Sequence, residues 1–128
     1  MGSKQMAKLL VIDDDATMVS LLQTLLELEG YEVLIAKDWG DLPGIARRSK
    51  PDLVLLDFYL PGLEGTDVIA ELREIQELNE TRIIMTSGMN REEECLRAGG
   101  NAFILKPYSP ETLLEIITEQ LSGDGIPE

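Results

Sequence analysis

Four short polar clusters in this chain each sit directly behind an apolar run. Asp13-Asp14-Asp15 follows Lys8–Ile12, Asp57 follows Leu53–Leu56, Thr86-Ser87 closes the run that begins at Arg82, and Lys106-Pro107 follows Ala102–Leu105. Carboxylates, hydroxyls and an ammonium are the groups that handle phosphate and hard cations. Two carboxylates about 4 Å apart repel by roughly 4 kcal/mol at an effective dielectric of about 20. A divalent cation relieves that repulsion, and oxygen donors without His or Cys favour Mg2+. The chain has no His, which also removes the usual zinc ligand. Magnesium held by a couple of carboxylates keeps waters and takes phosphate oxygens as further ligands. A lysine and a serine hydroxyl suit the remaining oxygens. These residue types point to a Mg2+-dependent phosphoryl site in which a carboxylate can serve as nucleophile.

Each cluster alone has a plainer reading. Asp15 or Thr17 reads as a helix N-cap, Lys-Pro as a turn, and a Ser after a strand as a cap. Their agreement in position is what favours function, so the elements that carry them matter. Asp52-Leu-Val-Leu-Leu-Asp57 is a short apolar run between two aspartates, the pattern of a strand buried on both faces. In open α/β sheets, ligands bind outside the carboxyl ends of the strands, which is where Asp57 falls.

The remaining chain alternates in kind. Met18, Leu22, Leu25 and Leu26 have helical spacing, and Gly30 is the expected stop. Tyr31–Ala36 is a second β-rich run. Asp38–Ser49 is a poor helix because Pro43-Gly44 falls inside it, and Asp41 as N-cap with a start at Leu42 fits best. Gly65 or Thr66 opens a helix with Val68, Ile69, Leu72 and Ile75 on one face. Arg82–Thr86 reads as a strand ended by Ser87-Gly88, and Arg91–Ala98 as a short polar helix stopped by Gly99-Gly100. Ala102–Leu105 is the last strand. Ser109 then caps a helix with Pro110 at its first position and Leu113, Leu114, Ile117 and Leu121 facing the core. Five strands alternating with five helices predict one α/β domain with a parallel sheet covered on both faces.

Composition narrows the function classes. A chain of 128 residues suits one domain with a real core. No apolar segment is long enough to span a membrane, and no secretory signal opens the chain. A lone cysteine, Cys95, fits a reducing cytoplasmic location and is expected to be inert. A net charge of −13 argues against direct binding of nucleic acid. Residues 1–7 read as a tail whose Met1-Gly2-Ser3 start can be an expression scar, with Met6 nearer a native start. Residues 122–128 read as a C-terminal tail or linker after a domain spanning 8–121.

The ordered pattern of Asp13-Asp14, Asp57-Phe58-Tyr59-Leu60-Pro61 with Gly65, Thr86-Ser87-Gly88 and Lys106-Pro107 closely resembles the receiver domain of two-component response regulators. The resemblance runs from about Lys8 to Leu121. It implies a flavodoxin-like, doubly wound sheet of strand order 2-1-3-4-5; a chemotaxis receiver is itself the standard example of that order. It implies Asp57 as phosphoacceptor for a histidine kinase or histidine phosphotransfer protein. Mg2+ would be held by Asp14, Asp57 and the backbone carbonyl of Tyr59, with Asp13 acting mainly through a bound water. Lys106 would pair with Asp57 and then with a phosphoryl oxygen. Ser87, rather than Thr86, aligns with the hydroxyl that turns toward the phosphoryl group. Phe103 matches the switch aromatic, and a plain core aromatic is the alternative for it. The Lys106–Pro107 bond would be cis.

By the same resemblance the chain is a signalling module that catalyses only its own phosphorylation and slow dephosphorylation. It would signal to an effector or output domain through the face of its fourth helix, fifth strand and fifth helix, and a phosphorylation-dependent dimer is compatible with it. Tyr59 and Met89, two residues after Asp57 and Ser87, occupy positions that tune dephosphorylation. Both are bulky here, which predicts slow hydrolysis. Two rival readings stand beside this one. Asp13-Asp14-Asp15-Ala16-Thr17 matches the Asp-x-Asp-x-Thr motif of haloacid-dehalogenase-like phosphatases, with Asp13 as nucleophile and Asp15 as acid. A receiver fold that only binds and is never phosphorylated is the other.

Overall fold

The computed structural model describes residues 7–122. Five strands, β1 (Lys8–Ile12), β2 (Glu32–Ile35), β3 (Leu53–Asp57), β4 (Arg82–Ser87) and β5 (Ala102–Leu105), form one sheet. All neighbouring pairs are parallel, and the spatial order is 2-1-3-4-5. The central strands are the most apolar because both of their faces are covered. Leu9 to Ile12 have no exposed surface, and every residue of β3 is buried.

Alternation along those strands feeds two cores. Leu10, Ile12, Val54, Leu56, Ile83 and Met85 point to one face, where α2 (Leu42–Ser49), α3 (Gly65–Arg73) and α4 (Glu92–Ala98) pack. Leu9, Val11, Leu53, Leu55 and Ile84 point to the other, against α1 (Ala16–Leu28) and α5 (Pro110–Ser122). Each Leu or Ile so buried contributes about 1.5–3 kcal/mol. These two layers leave only the strand ends to carry polar groups.

Local caps set where the helices begin. The Asp15 carboxylate accepts from the amides of Thr17 and Met18, at 3.0 and 3.1 Å, and starts α1. Asp41 caps α2 through the Gly44 amide at 3.3 Å, so Pro43 falls in the first turn, where a proline costs nothing. Ser109 Oγ accepts from the Thr112 amide at 3.1 Å and opens α5. Gly30, at φ +97°, follows α1 in the left-handed conformation.

Several expected boundaries shift. The second strand is Glu32–Ile35, one residue shorter at each end than the β-rich run. Strand β4 includes Ser87 as well as Thr86, because Lys106 N–H donates to the Ser87 carbonyl at 2.8 Å and keeps the ladder going. Helix α4 starts at Glu92, with Arg91 as its cap residue. Ile75 lies beyond α3, which ends at Arg73; a 3-10 turn over Gln76–Leu78 follows, and Ile75 is still buried. Ser122, expected in the tail, is the last residue of α5. The remaining tail residues, 1–6 and 123–128, lie outside the described residues. No helix among the described residues is long and apolar enough to cross a membrane.

Candidate functional site

Three carboxylates meet at the C-terminal edge of the sheet. Asp57 ends β3, and Asp13 and Asp14 follow β1 directly. One oxygen from each lies within 4.8 Å of the others, the single acidic group of this kind among the described residues. Asp13 and Asp57 are buried, whereas Asp14 is exposed. Asp13 is held by the amide of Asp15, which donates to its Oδ1 at 3.0 Å. Asp15 turns one carboxylate oxygen to the α1 cap, where it accepts from the Thr17 and Met18 amides.

Lys106 reaches this group from the end of β5. Its Nζ lies 3.1 Å from Asp57 Oδ1 and 3.4 Å from Asp13 Oδ2. The next peptide bond, Lys106–Pro107, is cis. One ammonium thus faces three carboxylates and leaves an excess of negative charge. The pKa values carry the mark of this. Burial pushes Asp57 above the ordinary carboxylate value, Lys106 opposes that through its hydrogen bond and charge, and Asp13 adds repulsion. Burial pulls Lys106 down, but the Asp57 hydrogen bond and the two carboxylate charges outweigh it and raise it. The donor set is oxygen-only, closely spaced and under-compensated, which fits Mg2+.

The two hydroxyls of β4 divide. Thr86 is the register partner of Asp57, and its Oγ1 donates to Asp57 Oδ1 at 3.4 Å. Ser87 is fully buried, and its Oγ accepts the Met89 amide at 3.1 Å. In this state, then, Thr86 touches the carboxylate and Ser87 holds the next loop. The resemblance singles out Ser87 as the hydroxyl that turns toward the phosphoryl group, whereas here Thr86 is the one in contact with the Asp57 carboxylate. The β3–β4 register, which pairs Thr86 with Asp57, is a tertiary fact.

The loops after β3 and β4 close over this edge. Leu60 and Leu63 pair in a short antiparallel hairpin, Tyr59–Leu60 with Leu63–Glu64. Gly65 ends it, and its amide donates to the Phe58 carbonyl at 2.8 Å. A Cβ at Gly65 would stand 2.9 Å from the Phe58 Cα, so only glycine lets the chain fold back this tightly. Tyr59 is half exposed, and its hydroxyl donates to Met89 Sδ at 3.5 Å. The two residues expected to tune dephosphorylation therefore touch. Phe103, on β5 opposite Met85, is partly buried against the α2–α4 core. Trp39 lies just before α2, donates from its ring nitrogen to the Ala36 carbonyl at 3.1 Å, and lines a recess of about 580 Å³ beside Asp13 and Asp14.

The chain matches the model of the response regulator receiver domain over residues 9–118. It belongs to the response regulator receiver family. Among curated relatives it is 35% identical over 121 residues to protein PilH of Pseudomonas aeruginosa, covering 92% of this chain and 100% of PilH. It is 38% identical over 108 residues to the alkaline phosphatase synthesis transcriptional regulatory protein PhoP of Bacillus subtilis, covering 80% of this chain but 43% of PhoP. The chain thus spans all of one relative and less than half of the other. Among solved structures, chemotaxis protein CheY4 of Vibrio cholerae superposes with a TM-score of 0.84 at 27% identity, over 91% of this chain and 99% of that one. The receiver domain of a sensor histidine kinase from Pseudomonas aeruginosa, solved with a magnesium ion coordinated in its active-site cleft, superposes with a TM-score of 0.82 at 25% identity, over 91% of this chain and 98% of that one. Receiver domains are signalling modules, and this fold is the flavodoxin-like one that the strand order implied.

Proposed function

We propose that this receiver accepts a phosphoryl group on Asp57 from the phosphohistidine of a histidine kinase or histidine phosphotransfer protein. The observation that carries the reading is the Lys106 ammonium held 3.1 Å from the carboxylate of Asp57 inside a three-carboxylate group. Asp14, Asp57 and the Tyr59 carbonyl would hold Mg2+, with Asp13 acting through a water. The ion would supply charge neutralisation for the approaching phosphate. An Asp57 oxygen attacks phosphorus, and the phosphorus–nitrogen bond of the donor breaks with its electron pair leaving on the imidazole. As the carboxylate charge passes to the phosphoryl group, Lys106 follows it onto a phosphoryl oxygen.

The product replaces one carboxylate by an acyl phosphate of charge near −2 with three acceptor oxygens. Ser87 then has reason to leave the Met89 amide and donate to a phosphoryl oxygen. Its differential contacts, with those of Lys106, bias the face of α4, β5 and α5, and Phe103 repacks with that face. The readout is an effector or output domain that meets this face. The site works in the cytoplasm, does not bind nucleic acid directly, and hydrolyses its acyl phosphate slowly because Tyr59 and Met89 stand over it. Incubation with acetyl phosphate, followed by intact mass, tests the reading. It predicts a Mg2+-dependent adduct of one phosphoryl group that is absent in Asp57→Asn. No adduct under any condition would leave a binding module, and an adduct that persists in Asp57→Asn would move the nucleophile elsewhere.

A further inference from the structure

A cation sits over the contact between Tyr59 and Met89. Arg91, the residue before α4, places its guanidinium 4.5 Å from the Phe58 ring centroid and 5.5 Å from that of Tyr59. It donates to the Tyr59 hydroxyl, and it pairs with Glu94 at 3.3 Å. Phe58 and Tyr59 meet edge to face at 4.6 Å beneath it. Arg91 Nε is the one buried side-chain polar atom among the described residues with no hydrogen-bond partner. The guanidinium is therefore placed by the ring faces and the Tyr59 hydroxyl, even at the expense of one of its own donors.

We propose that Arg91 is a positioning residue, a latch that holds the Tyr59 ring against Met89 and keeps water from the acyl phosphate on Asp57. The inference rests on the phosphoacceptor reading above. Arg91 bridges the loop after β3 to the loop after β4, the strands that carry Asp57 and Thr86-Ser87. Hydrolysis requires a water oxygen to attack phosphorus as the bond from phosphorus to the Asp57 oxygen breaks. The carboxylate leaves with the electron pair, and the water proton departs with the released phosphate. Arg91 touches none of these atoms. It acts by keeping two bulky side chains together where the water would enter, while the Glu94 carboxylate fixes its far side.

The test follows decay of the phosphorylated full chain after acetyl phosphate is removed. Arg91→Ala is expected to decay roughly three- to tenfold faster, the size of one lost polar contact expressed as a rate. Tyr59→Phe, which keeps the ring but removes the hydroxyl that accepts from Arg91 and donates to Met89, is expected to show a smaller increase and serves should Arg91→Ala fail to fold. Arg91→Lys should restore part of the slow decay, since it keeps the cation but not the planar fork. The deciding comparison is the double variant Tyr59→Ala/Arg91→Ala, expected to decay no faster than Tyr59→Ala alone because Arg91 works through Tyr59. Unchanged decay in both Arg91→Ala and Tyr59→Phe, or additive effects in the double variant, would overturn the latch and leave the phosphoacceptor reading intact. Failure of the wild type to form any adduct would overturn both.

Discussion

At the N-terminal edge of the sheet, the Arg73 guanidinium donates to the Gly99 carbonyl at 2.9 Å, the Leu78 carbonyl at 3.0 Å and Asn101 Oδ1 at 2.8 Å. Asn101 Oδ1 also accepts the Ile83 amide at 2.7 Å, so the start of β4 is tied into the same group. Burial and the neighbouring Arg82 press the Arg73 pKa down, yet a neutral acceptor meets each of its three nitrogens. At the C-terminal edge, Asp57 has a lysine, a threonine and two further carboxylates, and the balance of charge is unmet. One edge holds a cation that is finished, and the other holds anions that await a cation and a phosphate. The difference separates a structural polar group from a functional one more sharply than burial does.

The largest expected effect breaks the unfinished edge. Lys106→Met should slow adduct formation by about 10²–10³-fold, the usual scale for removing one preorganised charge partner. Initial rates with acetyl phosphate and Mg2+ measure this; a rate within a factor of two of wild type would remove Lys106 from the mechanism. The finished edge should behave in the opposite way. Arg73→Ala should cost about 2–3 kcal/mol in denaturant unfolding, because a charged group is taken from three acceptors, while the folded fraction keeps its rate of adduct formation. Loss of phosphorylation without loss of stability would reverse the contrast.

The smallest effect is in pH dependence without Mg2+. Asp57 is raised above its ordinary value of 3.8. Between that value and its folded value the native state binds more protons than the unfolded one, so this group lowers stability as pH rises. Asp57→Asn removes that loss. Its stability advantage over wild type should therefore grow as pH rises from 3.8 through the folded pKa, and then stay constant. Paired unfolding midpoints across that range check the sign, and an advantage that shrinks with rising pH would contradict it. Cys95 adds no titration near neutrality, since burial pushes its thiol up to about 11.

What the sequence disclosed and what it hid follow the range of the interactions. Asp41, Pro43 and Ser109 mark helix starts because a cap reaches only two or three residues. The clusters at the C-terminal ends of β1, β3, β4 and β5 share an edge because the strands are parallel, which their alternation with helices already required. Ile75 misled because its apolar spacing continues past the true end of α3 into a 3-10 turn. The family pattern singled out Ser87, but the contact of Thr86 with Asp57 was not legible without the register of β4 on β3. Arg91 stayed hidden because its partner Tyr59 lies 32 residues away and neither forms a motif with the other.

Mapping the phosphoryl group to a residue tests the central claim most directly. The acyl phosphate formed with acetyl phosphate and Mg2+ would be trapped by borohydride reduction and located by peptide mass. The account predicts modification of Asp57 alone. Modification of any other residue, Asp13 and Asp14 included, would contradict it.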